Sequence, residues 1–472
     1  MCKNWSKDSW KEIMTTLGVD TLCRTLSGWN NLASSVGQSL EEAFIHAIEA
    51  GFIPTGSTLP PQRELSKSLA VGRGTLQAAL KNLENRGYLE IVQGSGARVR
   101  SARARSSYHG SGRLFSLTNA PAPYIDLTSG ALPASPVMSR MGLPKIPEIS
   151  DYLETDGYFP AGIPVLRHKI AEYLSSQGIP TEANQILVTN GAQQATMLST
   201  RMTLSRGESV LVEDPTYRGA LEIFAVRGVQ TIALSRDTQG ISPSELANKS
   251  KYSRVLYCQT SVHNPTGLVT GTRRRTQLAE ISKANNLTVI EDCCSFDLTK
   301  SVSPAGTLAP MLRPDQLIQV GTLSKLFWGG LRIGWLRSTP ETIRLLSECR
   351  KTEDLATPVI DQLLAAQLLD RAHEALEQRR RQLRKQYESV SECIFEAFPE
   401  WKIHQWAGGT TLWIDTGGKS SMLIAKAREA GVALSGGPTF SPTNSYETFI
   451  KFPIWRDIDT VKSALQRIRE VC

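Results

Sequence analysis

Apolar side chains recur at helical spacing in three stretches between residues 36 and 100. Each stretch ends at a glycine, so the pattern predicts three helices that stop at Gly51, Gly72 and Gly87. Two short apolar runs then flank Gly94-Ser95-Gly96, which predicts a small β-hairpin. Three helices and a hairpin are the elements of a winged helix-turn-helix domain, whose third helix would enter the major groove of DNA.

Residues 1–35 precede this pattern. Helical spacing of Trp10, Ile13, Met14 and Leu17 predicts a short amphipathic helix in this N-terminal extension. We expect the extension to pack on its own domain, and we assign it no function.

A second pattern fills the rest of the chain. Residues 101–124 are rich in Ser, Gly, Ala, Arg and Pro, which is typical of a linker. From 125 to 472, strand-like runs alternate with helix-like stretches, which predicts an α/β fold with a mostly parallel central sheet. The predicted strands are 186–189, 209–213, 229–234, 254–259, 287–291, 317–320 and 333–336.

The net charge of +8 is concentrated near the N-terminus. Between residues 51 and 105, nine Lys and Arg stand against three Glu, a local net charge of +6. Together with the helix pattern, this surplus favours double-stranded DNA as a partner over a merely solvated basic face. A second basic run, from His373 to Tyr387, has the pattern of a solvated helix face, with a second DNA-contacting patch as the alternative.

The cysteine and hydropathy patterns bear on the cellular compartment. The eight cysteines include no CxxC pair, so they form neither a disulfide framework nor a metal-binding pattern and fit a reducing cytosol. The first residues lack the apolar core of a signal peptide, and no apolar run approaches the length of a membrane span. We therefore expect a cytoplasmic protein without a metal and without membrane association.

One lysine, Lys325, stands in an unusual setting. It follows a predicted buried strand and precedes the apolar Leu326-Phe327-Trp328. Apolar surroundings disfavour the ammonium form, so this amine can act as a nucleophile and form a Schiff base. Phosphate donors lie close by in the sequence: Thr322, Ser324 and Arg332. Taken alone, the segment is also compatible with a surface lysine in a loop.

Polar residues gather directly after five of the predicted strands. Ligand sites in open α/β sheets lie at the carboxyl ends of strands, so we expect these residues to meet. The first group opens a helix whose amide groups can bind phosphate. The groups are Asn190-Gly191-Ala192-Gln193-Gln194, Asp214-Pro215-Thr216-Tyr217, His263-Asn264-Pro265-Thr266-Gly267, Asp292 and Lys325.

Residues 36–100 resemble the DNA-binding domain of the GntR family. The motifs that carry the resemblance are Leu59-Pro60 with Gln62-Arg63-Glu64-Leu65, Val71-Gly72-Arg73-Gly74-Thr75-Leu76, Leu83-Glu84-Asn85-Arg86-Gly87-Tyr88 and Gln93-Gly94-Ser95-Gly96. The resemblance implies DNA contacts from Arg63, Arg73, Thr75, Gln77, Gln93 and Gly94. Gln77 can hydrogen-bond adenine if it reaches a base edge.

Residues 125–472 resemble the fold-type I, pyridoxal-phosphate-dependent aminotransferases. The motifs are Asn264-Pro265-Thr266-Gly267, Asp292, and Ser324-Lys325 with Arg332. The resemblance implies that Lys325 forms the Schiff base with pyridoxal 5'-phosphate, that Asp292 pairs with the pyridine nitrogen and that Asn264 bonds the phenolic oxygen. It also implies that Tyr217 stacks on the ring, and that the phosphate is held by Gly191, Ala192, Gln193, Thr322, Ser324 and Arg332.

Two positions depart from the family pattern. Cys294 stands where relatives have a tyrosine that hydrogen-bonds the cofactor, and Lys451 stands where an arginine usually binds the substrate carboxylate. A lysine is a point charge and cannot form the planar bidentate pair, so an ordinary α-amino acid is in doubt as the effector. Tyr158 is a further effector-site residue implied by the resemblance.

In this order, the two regions resemble a MocR-type regulator. The resemblance implies a transcription regulator that binds operator DNA and senses a small amine or amino acid through an aldimine on Lys325, as a head-to-tail homodimer. A working aminotransferase with a vestigial DNA-binding domain is the alternative. A domain that binds the cofactor only for stability is a third possibility.

Overall fold

The computed structural model describes residues 18–26, 36–49, 53, 57–85, 88–92, 96–99, 125–140, 146–301 and 305–472. The chain divides into two compact units, 1–112 and 113–472. Within the described residues, no helix is both long enough and apolar enough to cross a lipid bilayer. The predicted linker and the helix expected around Trp10 to Leu17 lie outside the described residues.

The first unit is a winged helix. Its elements are α1 (Val19–Thr25), α2 (Val36–Glu49), α3 (Gln62–Ser68), α4 (Arg73–Asn85), β1 (Leu89–Val92) and β2 (Gly96–Val99). Strands β1 and β2 pair antiparallel, as the predicted hairpin requires. One apolar side of each helix is buried in a shared core that includes Leu40, Phe44, Leu76 and Leu80. Leu22 of α1 lies in the same core, so this part of the extension packs on its own unit.

An eight-stranded sheet forms the centre of the second unit. Its strands are β4 (Ile186–Thr189), β5 (Ser209–Asp214), β6 (Gln230–Asp237), β7 (Gly240–Ile241), β8 (Val255–Cys258), β9 (Thr288–Asp292), β10 (Leu317–Thr322) and β11 (Gly334–Arg337). The order across the sheet is β4-β11-β10-β9-β8-β5-β6-β7. Strands β10, β9, β8, β5 and β6 run parallel, whereas β11 runs antiparallel to both of its neighbours. The mostly parallel sheet confirms the predicted α/β fold.

Helices cover both faces of this sheet, which is why its central strands are almost continuously apolar. Leu187 faces one core and Val188 faces the other. The helices of this layer are α5 (Pro136–Ser139), α6 (Ile146–Leu153), α7 (Pro164–Ser176), α8 (Ala192–Thr203), α9 (Arg218–Arg227), α10 (Pro243–Lys249), α11 (Thr272–Ala284), α12 (Pro340–Lys351), α13 (Val359–Leu369) and α14 (Ala372–Ala397).

A smaller antiparallel sheet completes the second unit. It contains β12 (Lys402–Ile403), β13 (Thr411–Asp415), β16 (Phe449–Pro453) and β15 (Ser435–Gly436), in that spatial order. A separate parallel pair joins β3 (Ile125–Asp126) to β14 (Val432–Ala433). Two helices, α15 (Ser420–Glu429) and α16 (Ile458–Val471), bury apolar residues beside these strands.

Candidate functional site

The polar groups predicted after the strands meet at one edge of the central sheet. Parallel strands β5, β8, β9 and β10 all end there, which brings their following loops together. Because β11 is antiparallel, its first residue lies at the same edge: Gly334 pairs with both Thr189 and Thr322. Arg332, two residues earlier, is thereby placed beside the loops that follow β4 and β10.

The anion-binding end of the site is built around Gly191 and Arg332. Arg332 donates a hydrogen bond from Nη2 to the Asn190 carbonyl at 2.7 Å. Gly191 has a φ of +85° and begins helix α8, and a Cβ there would lie 2.8 Å from Arg332 Nη2. A guanidinium packed on a glycine at a helix N-terminus is suited to a phosphate.

Two hydroxyls lie at the same end. Thr322 donates to Ser324 Oγ at 2.9 Å, and its own oxygen accepts the Ser324 backbone N–H at 3.1 Å. These bonds hold the turn that leads into Lys325. The hydroxyls, the guanidinium and the first amides of α8 together form a donor set for an anion.

A hydrogen-bond network that the sequence did not indicate supports this end. Asp354 accepts hydrogen bonds from the side-chain amides of Asn190 and Gln194, both at 2.6 Å. Its other oxygen accepts Arg350 Nε at 2.8 Å, and Arg350 is fully buried. The network fixes Asn190, whose carbonyl in turn orients Arg332.

The opposite end of the site contains Asp292 and Asn264. Asp292 is buried and accepts the Tyr257 hydroxyl at 2.7 Å and the Cys294 backbone N–H at 3.0 Å. Asn264 Oδ1 is buried and has no hydrogen-bond partner among the described residues. A buried carboxylate and an orphaned amide oxygen are groups that a polar ligand can satisfy.

Tyr217 borders the same space. Its hydroxyl lies 3.3 Å from Gln193 Oε1, and its ring occupies the place that a Cβ on Gly219 would need. Burial raises the pKa of the Tyr217 hydroxyl, and Asp292 adds to the effect. Tyr217 is therefore a neutral, fixed aromatic wall.

Lys325 lies between the two ends. Its Nζ donates to the Gly130 carbonyl at 2.9 Å. Burial lowers the pKa of the Lys325 amine, although Cys294 and Asp292 act in the opposite direction. The structure thus supports a nucleophilic amine more than a solvated surface lysine.

The thiol of Cys294 is close enough to Asp292 and Lys325 for both to affect its ionisation. Burial raises the pKa of the Cys294 thiol well above its ordinary value, and Asp292 reinforces the shift. The thiol is therefore neutral near pH 7. Cys293 and Cys294 are both free thiols and pack in cores on opposite faces of the sheet.

A pair of cations lies beside Lys325 in the small sheet and at the start of α9. Lys451 is only 5% exposed, and its Nζ lies 5.2 Å from the centre of the Phe440 ring. Arg218 approaches the same ring at 5.7 Å and donates to Ser435 Oγ at 3.3 Å. Burial lowers the pKa of Lys451 well below its ordinary value, with Arg218 and Lys325 adding to the shift. Sequence reasoning missed Arg218, although it directly follows Tyr217.

Tyr158 stands apart from these groups. Its side chain is 58% exposed, and in the part of the chain that the structure describes its ring forms no hydrogen bond or aromatic contact with the other candidate residues. Its predicted role in effector binding stays a prediction.

The candidate DNA-binding surface lies on the first unit. Arg63, Arg73 and Gln77 are exposed, and Thr75 is half-buried. Gln93 and Gly94 lie outside the described residues. Glu84, near the end of α4, accepts Lys81 Nζ at 2.7 Å and the Ile91 backbone N–H at 3.1 Å, which ties the recognition helix to the first wing strand.

The basic helix α14 is not the wholly solvated face that the sequence suggested. Arg379 and Arg380 are only 1% and 9% exposed, whereas Arg381 and Arg384 are exposed. The two inward residues bind backbone carbonyls of other segments. The prediction was wrong for these two residues because a run of adjacent arginines occupies more than one side of a helix.

Two family comparisons agree with this architecture. Residues 122–468 match the family described as aminotransferase class I and II, and residues 36–99 match the bacterial regulatory proteins of the gntR family. The chain therefore belongs to the aminotransferase class I and II family. With a GntR-type DNA-binding domain fused to it, the chain is a MocR-type regulator, as its motifs predicted.

The chain is similar to individual transcription regulators and to a solved aminotransferase structure. The chain is 28% identical over 417 residues to an uncharacterized HTH-type transcriptional regulator, YdfD of Bacillus subtilis, covering 82% of this chain and 86% of that protein. It is 26% identical over 333 residues to the probable rhizopine catabolism regulatory protein MocR of Rhizobium meliloti, covering 64% and 65%. A solved structure of kynurenine aminotransferase from Pyrococcus horikoshii superposes with a TM-score of 0.67 at 25% identity, covering 78% of this chain and 98% of that one.

The fold implies pyridoxal phosphate as a cofactor. The residues present fit that molecule on chemical grounds. An anion cradle lies at one end, a buried carboxylate and the Asn264 side-chain amide lie at the other, and the half-buried Lys325 amine lies between them.

Proposed function

We propose that this protein is a transcription regulator that binds operator DNA and responds to a small amine or amino acid at a pyridoxal phosphate site on Lys325. The observation that carries the proposal is the position of the half-buried Lys325 amine, between the Arg332 cradle and Asp292, in a chain that also has a GntR-type domain. Such a chain can couple ligand chemistry to DNA binding.

The site offers suitable residues for both the ring and the phosphate of the cofactor. Lys325 would hold it covalently, and Asp292 would keep a proton on the pyridine nitrogen. Asn264 would donate to the phenolic oxygen, and Tyr217 would lie against the ring face. The phosphate would be bound by Gly191, Ala192, Gln193, Thr322, Ser324 and Arg332. When bound, pyridoxal phosphate supplies an electrophilic carbon to amines and a ring that withdraws electron density.

Lys451 and Arg218 suggest how an effector would be oriented. The buried Lys451 amine makes no hydrogen bond or ion pair among the described residues, and Arg218 borders the same ring. An amine with an anionic group could place that group near these cations and its nitrogen towards Lys325. Arg218 would supply the planar fork that Lys451 lacks.

Effector binding would shift the equilibrium between DNA-binding states of the protein by its difference in affinity for them. We place this regulator in the cytoplasm and propose that it acts as a head-to-tail homodimer. The exposed Tyr158 ring is available to a partner subunit, which is where we expect it to contribute.

A functional aminotransferase is the second candidate, because the fold is that of the aminotransferase class I and II family. One experiment separates the two. The purified protein is titrated with amino acids and amines while cofactor absorbance, keto-product and operator affinity are followed together. A regulator gives a spectral change and altered operator affinity with little turnover. Turnover on the order of 1–10³ s⁻¹ would establish the enzyme instead. An absorbance change without either effect would leave the cofactor a stabilising role only.

The DNA part of the proposal has its own test. Arg73→Ala should weaken binding to the protein's own promoter region by about 1–3 kcal/mol if a base contact is lost, or lower the salt dependence if a phosphate contact is lost. Lys81→Ala is the matched control, since Lys81 lies on the same helix but is paired with Glu84. Equal binding by all three proteins at every salt concentration removes α4 from the interface.

A further inference from the structure

The backbone that follows Lys325 in the chain is hydrogen-bonded to a buried arginine, Arg379, on helix α14. Arg379 of α14 donates from Nε to the Leu326 carbonyl at 3.1 Å and from Nη2 to the Phe327 carbonyl at 2.8 Å. These are the two residues that follow Lys325. The same Nη2 also bonds the Pro133 carbonyl.

The segment around Pro133 also touches the Lys325 side chain. Gly130, three residues earlier, accepts Lys325 Nζ and the Thr410 hydroxyl, each at 2.9 Å. Ser135, two residues later, donates its backbone N–H to the Phe327 carbonyl at 2.8 Å. Segment 130–135 thus meets both the amine of Lys325 and the backbone after it, and Arg379 joins the two.

The environment of Arg379 is unusual for a cation. It is only 1% exposed, and its acceptors are backbone carbonyls and Gln382 Oε1, with no carboxylate within ion-pair distance among the described residues. Burial lowers the pKa of Arg379 to about 10, so it still carries its charge near pH 7. A buried charge without a counter-charge is costly, and the five donors of a rigid guanidinium fork suit separated carbonyls better than the three donors of one ammonium.

We propose that Arg379 is a positioning residue for Lys325. It clamps the loop after the lysine to segment 130–135, and this clamp keeps Lys325 Nζ against the Gly130 carbonyl at the sheet edge. The assignment rests on the proposed function only in taking Lys325 as the residue that holds the cofactor. The clamp itself is a property of the chain and is testable without cofactor.

The test compares Arg379→Met with Arg380→Met in the full-length protein. Arg380 is the matched control because it is the next residue on the same helix, is also buried and also donates to a backbone carbonyl, that of Asp297. The pH dependence of acetylation of Lys325 by acetic anhydride is measured by peptide mass spectrometry. In Arg379→Met the amine should become more hydrated, raising its labelling midpoint by about half a pH unit or more. In Arg380→Met the midpoint should stay at the wild-type value.

Arg379→Lys refines the result and decides it if the methionine variant does not fold. Lysine keeps the charge, but its donors sit on a single nitrogen and reach fewer of these separated carbonyls, so it should shift the midpoint in the same direction by a smaller amount. An unchanged midpoint in the variants that fold, or an equal shift in the Arg380 control, would overturn the proposal. Failure of the wild type to bind pyridoxal phosphate would instead count against the proposed function and leave the labelling result intact.

Discussion

The cations around the site are held in two different ways. We call the Arg332 and Gly191 cradle the phosphate end, and the Lys451 and Arg218 pair the effector end, after their proposed ligands. At the phosphate end, Arg332 bonds the Asn190 carbonyl, and Asn190 is fixed through Asp354 to Arg350. At the effector end, Lys451 packs against the Phe440 ring and forms no ion pair among the described residues, although Asp126 is near enough to favour its charged form. The first end is preorganised by the protein for one fixed anion. The second holds a buried amine whose charged form an anionic ligand would stabilise, as expected where the bound molecule comes and goes.

The two ends should also differ in how much ligand binding changes the free energy of unfolding. Donors that already have protein partners cost little to keep folded and bind an anion without reorganisation. Keeping a proton on a buried amine that has no paired carboxylate costs free energy, and an anionic ligand offsets that cost. The effector end is therefore the place where ligand binding should most change the stability of the fold.

Replacing Lys325, which lies between the two ends, should have the largest effect on cofactor binding. Lys325→Ala should abolish covalent attachment of pyridoxal phosphate and its absorbance band, while the protein stays folded. Lys300→Ala, an exposed lysine on a nearby loop, serves as the control. Borohydride reduction and peptide mapping identify the modified residue. Attachment to any other lysine would contradict the assignment.

Adding a single methyl group to Gly191 should disrupt anion binding at the phosphate end. Gly191→Ala should reduce cofactor affinity at least tenfold, because the new Cβ would lie 2.8 Å from Arg332 Nη2. A positive φ alone costs about 1–3 kcal/mol in a non-glycine residue. Gly178→Ala separates the two causes, since Gly178 has a φ of +83° but open space around it.

Cofactor affinity is measured by absorbance titration and stability by thermal melting. Both alanine variants should lose stability, but only Gly191→Ala should lose affinity for the cofactor. Similar affinities for the two variants would show that Arg332 does not depend on Gly191.

Replacing Lys451 at the effector end should stabilise the fold, whereas Gly191→Ala at the phosphate end should destabilise it. Because burial lowers the pKa of Lys451, its protonated form destabilises the folded state below that shifted pKa, and the cost fades as pH rises towards 10.5. Lys451→Met should therefore raise the melting temperature near pH 7, by an amount that shrinks at higher pH. The same change should weaken an anionic effector by about tenfold or more.

Lys402→Met, an exposed lysine in the same small sheet, is the control for this experiment. Thermal melting across neutral to alkaline pH measures the stability, and the effector found by absorbance titration measures the affinity. A Lys451→Met protein that melts lower at neutral pH would mean that Lys451 has a counter-charge in solution.

The smallest effect is expected at Cys294. A tyrosine hydroxyl is a stronger hydrogen-bond donor than a thiol. Cys294→Tyr should therefore lower the pH midpoint of the bound cofactor's absorbance and speed the single-turnover half-reaction, whereas Cys294→Ala should stay close to wild type. If tyrosine alters neither quantity, the side chain at position 294 does not contact the cofactor.

The same contrast explains what the sequence could reveal. The phosphate end is made of short motifs, because a strand, a glycine and a helix N-terminus are consecutive in the chain around Gly191. The winged helix and the mostly parallel sheet were likewise visible as periodic apolar runs. Lys325, Asp292 and Asn264 each follow a strand, and the topology brings them to one edge.

The effector end could not be assembled in this way. Arg218, Ser435, Phe440 and Lys451 come from separate elements, and only the packing of α9 against the small sheet brings them together. Arg379 was assigned to a solvated face because helical periodicity shows which residues share a side, not which side is covered. Pairings between distant segments depend on packing that local patterns do not record.

Strand β11 has a further consequence for how the protein is made. Its pairing with β10 joins Gly334 to Thr322 across a short stretch that contains Lys325, whereas its pairing with β4 must close the whole chain between Thr189 and Gly334. Closing the longer loop costs more entropy and slows folding. The lysine loop can thus form early, but Arg332 meets the Gly191 turn only after the long closure. Pyridoxal phosphate added during refolding should bind in the slow folding phase, when β11 pairs with β4. The rate at which its absorbance appears should therefore report the rate at which the sheet is completed.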